Sequence, residues 1–130
     1  ETEVGYIGGN TSNPTYRDVC TGNTSHAEAV RIFFNSEIIS YDGLLDLFFT
    51  IHDPTTLNQQ GPDRGTQYRS AIFYLNDYQK LSGENKIKEL NAKQFQNRIV
   101  TTLEETQEFW IAEEYHQKYI RKQKFSNYTE

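Results

Sequence analysis

The chain has 130 residues, a formal net charge of −5 and one cysteine. That length is one domain, residues 1–130, able to bury a core, and the acidic balance argues against nucleic acid as a main partner. No apolar run approaches the roughly 20 residues of a membrane span, no signal peptide is read at the start, and a lone thiol excludes an internal disulfide and suits a reducing, cytoplasmic setting.

Val4-Gly5-Tyr6-Ile7 reads as a strand near 3–7 already under way, ended by Gly8-Gly9-Asn10. Residues 10–25 read as a long irregular stretch. Its N-x-S/T sequons at Asn10 and Asn23, like the one at Asn127, are taken as chance. From His26 the pattern becomes two-periodic. Val30, Ile32 and Phe34 share one face, which predicts a strand near 28–34. Ser40 is a suitable N-cap, and Leu44, Leu47, Phe48 and Ile51 recur at helical spacing, so a helix over 41–51 stops before Pro54.

Residues 52–70 form a polar loop too long for an ordinary turn, since compact connections run about 4–6 residues and longer ones tend to be functional. The loop leads into Ala71-Ile72-Phe73, a strand near 70–74, and is expected to be the floor of a site. Residues 77–94 read as helix, with Tyr78, Leu81, Ile87 and Leu90 inward and Ser82-Gly83 able to split it. Another strand is expected near 98–103 and a short helix near 112–120, followed by a frayed basic tail. The fold class is α+β: a mixed sheet packed on helices, with the strand order left open.

Two loops carry the side chains able to do chemistry. The first offers Tyr16, Asp18, Cys20, His26 and Glu28; the second offers His52, Asp53, Asp63, Tyr68 and Arg69. Cys20, His26 and His52 have no metal-ligand spacing, and no metal is expected. Only Arg17 adjoins Cys20 in sequence to depress its pKa, so a structural, semi-buried thiol is expected. Asp63, among Gly61, Pro62 and Gly65, is equally suited to capping a turn. His52-Asp53-Pro54 is expected to end the helix and anchor the loop, with Arg69 pairing a loop carboxylate.

Several separated blocks resemble peptide methionine sulfoxide reductase A. They are Val4-Gly5-Tyr6-Ile7-Gly8-Gly9, Asn13-Pro14-Thr15-Tyr16-Arg17-Asp18-Val19-Cys20, His26-Ala27-Glu28, the His52-Asp53-Pro54-Thr55 loop running to Gly65-Thr66-Gln67-Tyr68-Arg69-Ser70, and Ala112-Glu113-Glu114-Tyr115-His116-Gln117-Lys118-Tyr119. Ser25, Phe49 and Gln59 depart from the family's usual glycine, tryptophan and arginine. The family's nucleophilic Gly-Cys-Phe-Trp-Gly motif does not occur in these residues. The attacking cysteine, and a first sheet strand bearing it, are therefore expected outside them, leaving an open slot in the sheet.

The resemblance implies a two-layer, loosely ferredoxin-like sandwich. It also implies thiol-dependent reduction of the S epimer of methionine sulfoxide, free or in proteins. Tyr16 and Tyr68 would be the donors to the sulfoxide oxygen and Glu28 the acid, its carboxyl raised by burial among rings. Asp63, His116 and Tyr119 would border the substrate. No cofactor is implied; an external thiol reductant such as thioredoxin would recycle a monomeric enzyme. The alternative is an inactive truncated protein that binds sulfoxides or methyl groups without turnover.

Overall fold

The computed structural model describes residues 2–113. The expected helix near 112–120, with His116 and Tyr119, lies almost wholly outside the described residues. Its first two residues, Ala112 and Glu113, are not helical.

Strand β1 (Thr2–Ile7) is the middle of a three-stranded antiparallel sheet. On one side it pairs with β2 (Ala27–Ile32), with Tyr6 opposite Glu28. On the other it pairs with β7 (Trp110–Ile111), with Tyr6 opposite Trp110. Ala112 N–H extends that ladder to the Val4 carbonyl at 2.9 Å. The sequence shows no partner for β1 because both partners lie far along the chain. Val4 to Ile7 are all buried, as a strand covered on both faces requires. The main apolar cluster is Val4, Tyr6, Val19 and Ala112, with Tyr16, Val30 and Trp110 packed against it.

β2 stops at Ile32, short of the expected residue 34, where its register with β1 reaches Thr2. Ile32, Phe33 and Phe34 stay substantially exposed. The Arg31 guanidinium pairs with Glu3 and lies over the Phe33 and Phe109 rings, 5.1 and 4.5 Å from their centroids.

Helix α2 (Tyr41–Ile51) has the expected bounds, and the Ser40 hydroxyl accepts from Gly43 N–H at 3.0 Å. Its buried residues are Leu45 and Phe49, while Leu44, Leu47, Phe48 and Ile51 flank them half-buried. The apolar face is thus broader than the predicted stripe and centred one residue further on. Helix α3 (Asp77–Leu90) runs unbroken through Ser82-Gly83. Gly83 is a contact point: a Cβ there would meet Leu103 Cδ2 at 2.7 Å. Tyr78 and Leu81, expected inward, are exposed, because α3 buries only Gly83 completely. A π-helical turn (Asn91–Phe95) continues α3.

Strand β5 (Ala71–Tyr74) pairs in parallel with β6 (Thr102–Glu105), Ala71 opposite Thr102. β6 therefore starts later than the expected 98–103. Ile99 and Val100 spend their N–H groups on Asn91 Oδ1 and the Pro54 carbonyl instead of a ladder. Among the described residues β5–β6 stands as a sheet separate from β2-β1-β7, so the four expected strands do not form one continuous sheet. The architecture is mixed α/β, with small sheets and a few helices. No described helix is long and apolar enough to cross a membrane.

His26 organises the loop after β1. It is 2% exposed; its Nδ1 accepts from Gly9 N–H at 3.1 Å and its Nε2–H donates to the Thr11 carbonyl at 2.9 Å. Replacing His26 by Ala leaves a cavity and two stranded backbone groups. The expected cost is about 2–4 kcal/mol, a fall in Tm of roughly 10 °C. An unchanged thermal melt would contradict it.

Candidate active site

The first half of the site grows from a short helix that composition does not advertise. Thr15 and Asp18 form a capping box: Asp18 N–H donates to Thr15 Oγ1 at 3.1 Å, and Thr15 N–H to Asp18 Oδ2 at 3.0 Å. This starts α1 (Tyr16–Cys20) inside the stretch expected to be irregular, and buried Val19 fixes the helix to the core. The Thr-x-x-Asp spacing was the signal that could have revealed it.

Tyr16 is the first residue of α1, and its backbone N–H donates to Glu113 Oε2 at 3.1 Å. Glu113 Oε1 also accepts from the Tyr6 hydroxyl at 3.4 Å. Glu113 was not singled out from sequence, yet it ties the segment after β7 to the start of α1. Glu28 sits opposite Tyr6 across the β1–β2 pair, so the two side chains share a face.

The second half is the loop 52–70, and its ends are bonded together. His52 Nδ1–H donates to the Phe48 carbonyl at 2.6 Å, which leaves Nε2 of the neutral ring to accept from Ser70 Oγ at 2.7 Å. Ser70 Oγ then accepts from Thr101 Oγ1 at 2.7 Å. Inside the loop, Asp53 N–H donates to Gln60 Oε1 at 3.1 Å, and Gln60 Nε2 to the Asp53 carbonyl at 2.7 Å. The expected anchoring by His52 and Asp53 is present. Bonds from Thr55 hold the Asp53 carboxyl below the usual range. A small hairpin follows, β3 (Gln59–Gln60) and β4 (Asp63–Arg64), turning at Gly61 with φ +57°. A 3₁₀ turn (Thr66–Tyr68) then delivers Tyr68.

Tyr68 and Glu28 lie near enough to Tyr16 for their charges to act on its hydroxyl. The Tyr16 hydroxyl is pushed up by its hydrogen bond to the Cys20 thiol, then by burial, and by the charges of Cys20, Tyr68 and Glu28. Tyr16 therefore remains a protonated donor well beyond neutral pH. Glu28 and Tyr68 are both partly buried. Cys20 is exposed rather than semi-buried as expected, and it faces Tyr16 because both lie on the same short helix. Asp63 is exposed on the hairpin, and no described hydrogen bond joins it either to this trio or to a backbone N–H it would cap. An open groove lined by Glu84, Ile87, Lys88, Asn91, Asn97 and Leu103 contains none of these residues. Among the described residues no group of three or more His, Cys, Asp or Glu is arranged to hold a metal.

Arg69 pairs not with a loop carboxylate but with Glu104 of β6, Nε at 3.1 Å from Oε2 and Nη2 at 3.2 Å from Oε1. Burial alone would raise the Glu104 carboxyl, but the bonds from Arg69 and Thr102 and the Arg69 charge outweigh it and hold the carboxyl low. A carboxylate depressed on folding contributes stability that is complete above its unfolded value, about 4.3, and is lost as pH falls through the lower folded value. The Tm advantage of the native chain over Glu104→Gln is thus expected to shrink progressively as pH falls below about 4.3 into the acid range. Melting curves that keep the same gap throughout that range would contradict this.

The model of the family described as peptide methionine sulfoxide reductase matches residues 1–130. Peptide methionine sulfoxide reductase MsrA of Methanothermobacter thermautotrophicus is 52% identical over 122 residues, covering 93% of this chain and 72% of that protein. MsrA of Pelagibacter ubique is 54% identical over 122 residues, covering 94% of this chain and 82% of that protein. Among solved structures, Mxr1 of Saccharomyces cerevisiae in reduced form superposes with a TM-score of 0.87 at 41% identity, covering 93% of this chain and 70% of that one. The same yeast protein has also been solved in complex with Trx2, at a TM-score of 0.61 and 26% identity, covering 91% of this chain and 64% of that one. With its whole length matched and half its residues shared, the chain belongs to the peptide methionine sulfoxide reductase family, oxidoreductases acting on methionine sulfoxide.

Proposed function

We propose that this chain supplies the proton donor and the hydroxyl donors of the family's reaction. The observation that carries the reading is the approach of Tyr16, Glu28 and Tyr68, which come from three separate segments. A sulfoxide oxygen is a strong acceptor whose negative charge grows as the sulfur is attacked. Two phenols and a carboxylic acid placed around that oxygen would stabilise that charge without reorganising.

In the proposed step a thiolate attacks the sulfoxide sulfur and forms an S–S bond. The oxygen takes a proton from Glu28 and leaves as hydroxide when the S–O bond breaks. The hydroxide then adds to the attacking sulfur as the S–S bond breaks and releases the thioether. The sulfoxide gains two electrons and becomes a thioether, while the attacking sulfur loses two and becomes a sulfenic acid. Two further thiols reduce that acid, regenerating the thiol, releasing its oxygen as water and becoming a disulfide. The attacking cysteine is proposed to lie outside these 130 residues, because the family's Gly-Cys-Phe-Trp-Gly motif does not occur in them. Asp63, His116 and Tyr119 are proposed to border the substrate, and selectivity for the S epimer follows the family. The yeast relative solved with Trx2 supports a thioredoxin-like external reductant.

The proposal extends to a monomer in the reducing cytoplasm, and to a two-layer, ferredoxin-like sandwich in which a further strand joins the two described sheets. The test is turnover of the S and R epimers of methionine sulfoxide by the full-length protein, with dithiothreitol or thioredoxin. Reduction of the S epimer alone is expected. Saturable binding of sulfoxide without turnover would overturn the reading in favour of a binding protein.

A further inference from the structure

We infer that Arg69 is a positioning residue that sets the distance between Tyr68 and Glu28. The inference rests on the reading that both face the sulfoxide oxygen.

Tyr68 and Glu28 are 40 positions apart in sequence. Glu28 lies on β2, whereas Tyr68 ends a 3₁₀ turn that leads into β5, a strand of a different described sheet. Something must hold the two halves of the site in register. The described bonds between the halves leave from the two residues that flank Tyr68. On one side, buried Gln67 donates through Nε2 to the Cys20 carbonyl at 3.5 Å, a long bond to the end of α1. On the other, Arg69 Nη1 donates to the Ser25 carbonyl at 3.1 Å, three residues before Glu28.

The Arg69 bond is the stronger tie. Its donor is charged, and the rest of the guanidinium is immobilised. Nη1 also donates to the Thr66 carbonyl at 3.0 Å, closing the 3₁₀ turn that carries Tyr68. Nε and Nη2 hold Glu104 in a two-point fork on β6. The side chain is 15% exposed. Its other walls are the Phe73 ring, 6.0 Å below the guanidinium carbon, and the end of β1. Gly8 makes room there: a Cβ at that residue, φ +84°, would stand 3.0 Å from Nη2.

One planar group thus bonds the turn of Tyr68, the approach to Glu28 and strand β6. Lysine cannot reproduce this. Its ammonium has three donors on a flexible stem and no fixed fork. Arg69→Lys keeps the charge but lets the two halves drift, and a misplacement of about 1 Å is enough to cost up to about 100-fold in rate.

The experiment is a double-mutant cycle on the full-length protein, reading kcat and KM for methionine sulfoxide reduction. Arg69→Lys is expected to lower kcat about 30-fold with KM changed less than about 3-fold. In a Tyr68→Phe background the same change is expected to cost less than about 3-fold, because the hydroxyl it positions is gone. Glu104→Gln, which spares the Ser25 and Thr66 bonds, is expected to be milder than Arg69→Lys, and circular dichroism of each variant reports folding. An additive cycle, an unchanged kcat, or a loss matching the unfolded fraction would overturn the inference while leaving the function intact. Absence of turnover by the unmodified full-length protein would overturn the functional reading, and this inference with it.

Discussion

Glu28→Gln in the full-length reductase is expected to lower kcat by about 100- to 10,000-fold, the range of a lost general acid. KM should change by less than about 3-fold, because the proton matters mainly once charge has built up on the sulfoxide oxygen. Gln keeps the size and a hydrogen-bonding end, and the strand register that places the residue opposite Tyr6 comes from backbone bonds. Position is thus preserved and acidity removed. Steady-state kinetics across neutral pH checks this, and a kcat equal to that of the unmodified enzyme would remove Glu28 from the proton-donor role.

Removing a single hydroxyl should also be costly. Tyr68→Phe deletes one oxygen at the end of the 3₁₀ turn and leaves the bonds of Gln67 and Arg69 in place. Loss of one preorganised donor to a developing oxyanion costs about 100- to 1,000-fold in kcat. Tyr16→Phe is expected to cost less, because the Cys20 thiol on the same short helix competes for the Tyr16 hydroxyl. The decisive comparison is between the two single variants and the double variant in single-turnover experiments, where the chemical step is read directly. A Tyr68→Phe enzyme with full single-turnover rate would refute a donor role.

The pattern of agreement between sequence and fold follows how local each feature is. Ser40 and the 41–51 periodicity produce α2 with its bounds intact, since a cap and an apolar face act within a few residues. β1, β2 and β5 begin within a residue or so of their expected positions, because alternation and β-branched residues are local too. Where neighbours far along the chain decide, the local reading fails. Gly83 reads as a helix breaker but is a seat for Leu103. Ile99 and Val100 have strand-forming side chains, yet their N–H groups are claimed by Asn91 and Pro54. Trp110–Ile111 becomes a strand only because β1 offers it an edge.

The site divides along the same line. Residue identities carry the chemistry on their own: a carboxylic acid, two phenols and no second thiol are visible in the chain, and their motifs resemble one family along nearly its whole length. Only the tertiary structure brings Glu28 and Tyr68 near enough for their charges to act on Tyr16, while Asp63 stands exposed on its hairpin. It alone shows that Glu113 ties the segment after β7 to the start of α1, and that Arg69 bonds the loop 52–70 to the stretch before Glu28. The physical reason is range. Acidity and hydrogen-bonding capacity belong to a side chain wherever it sits, but bonds such as Arg69 to Ser25 join residues 44 positions apart, and no local pattern encodes them.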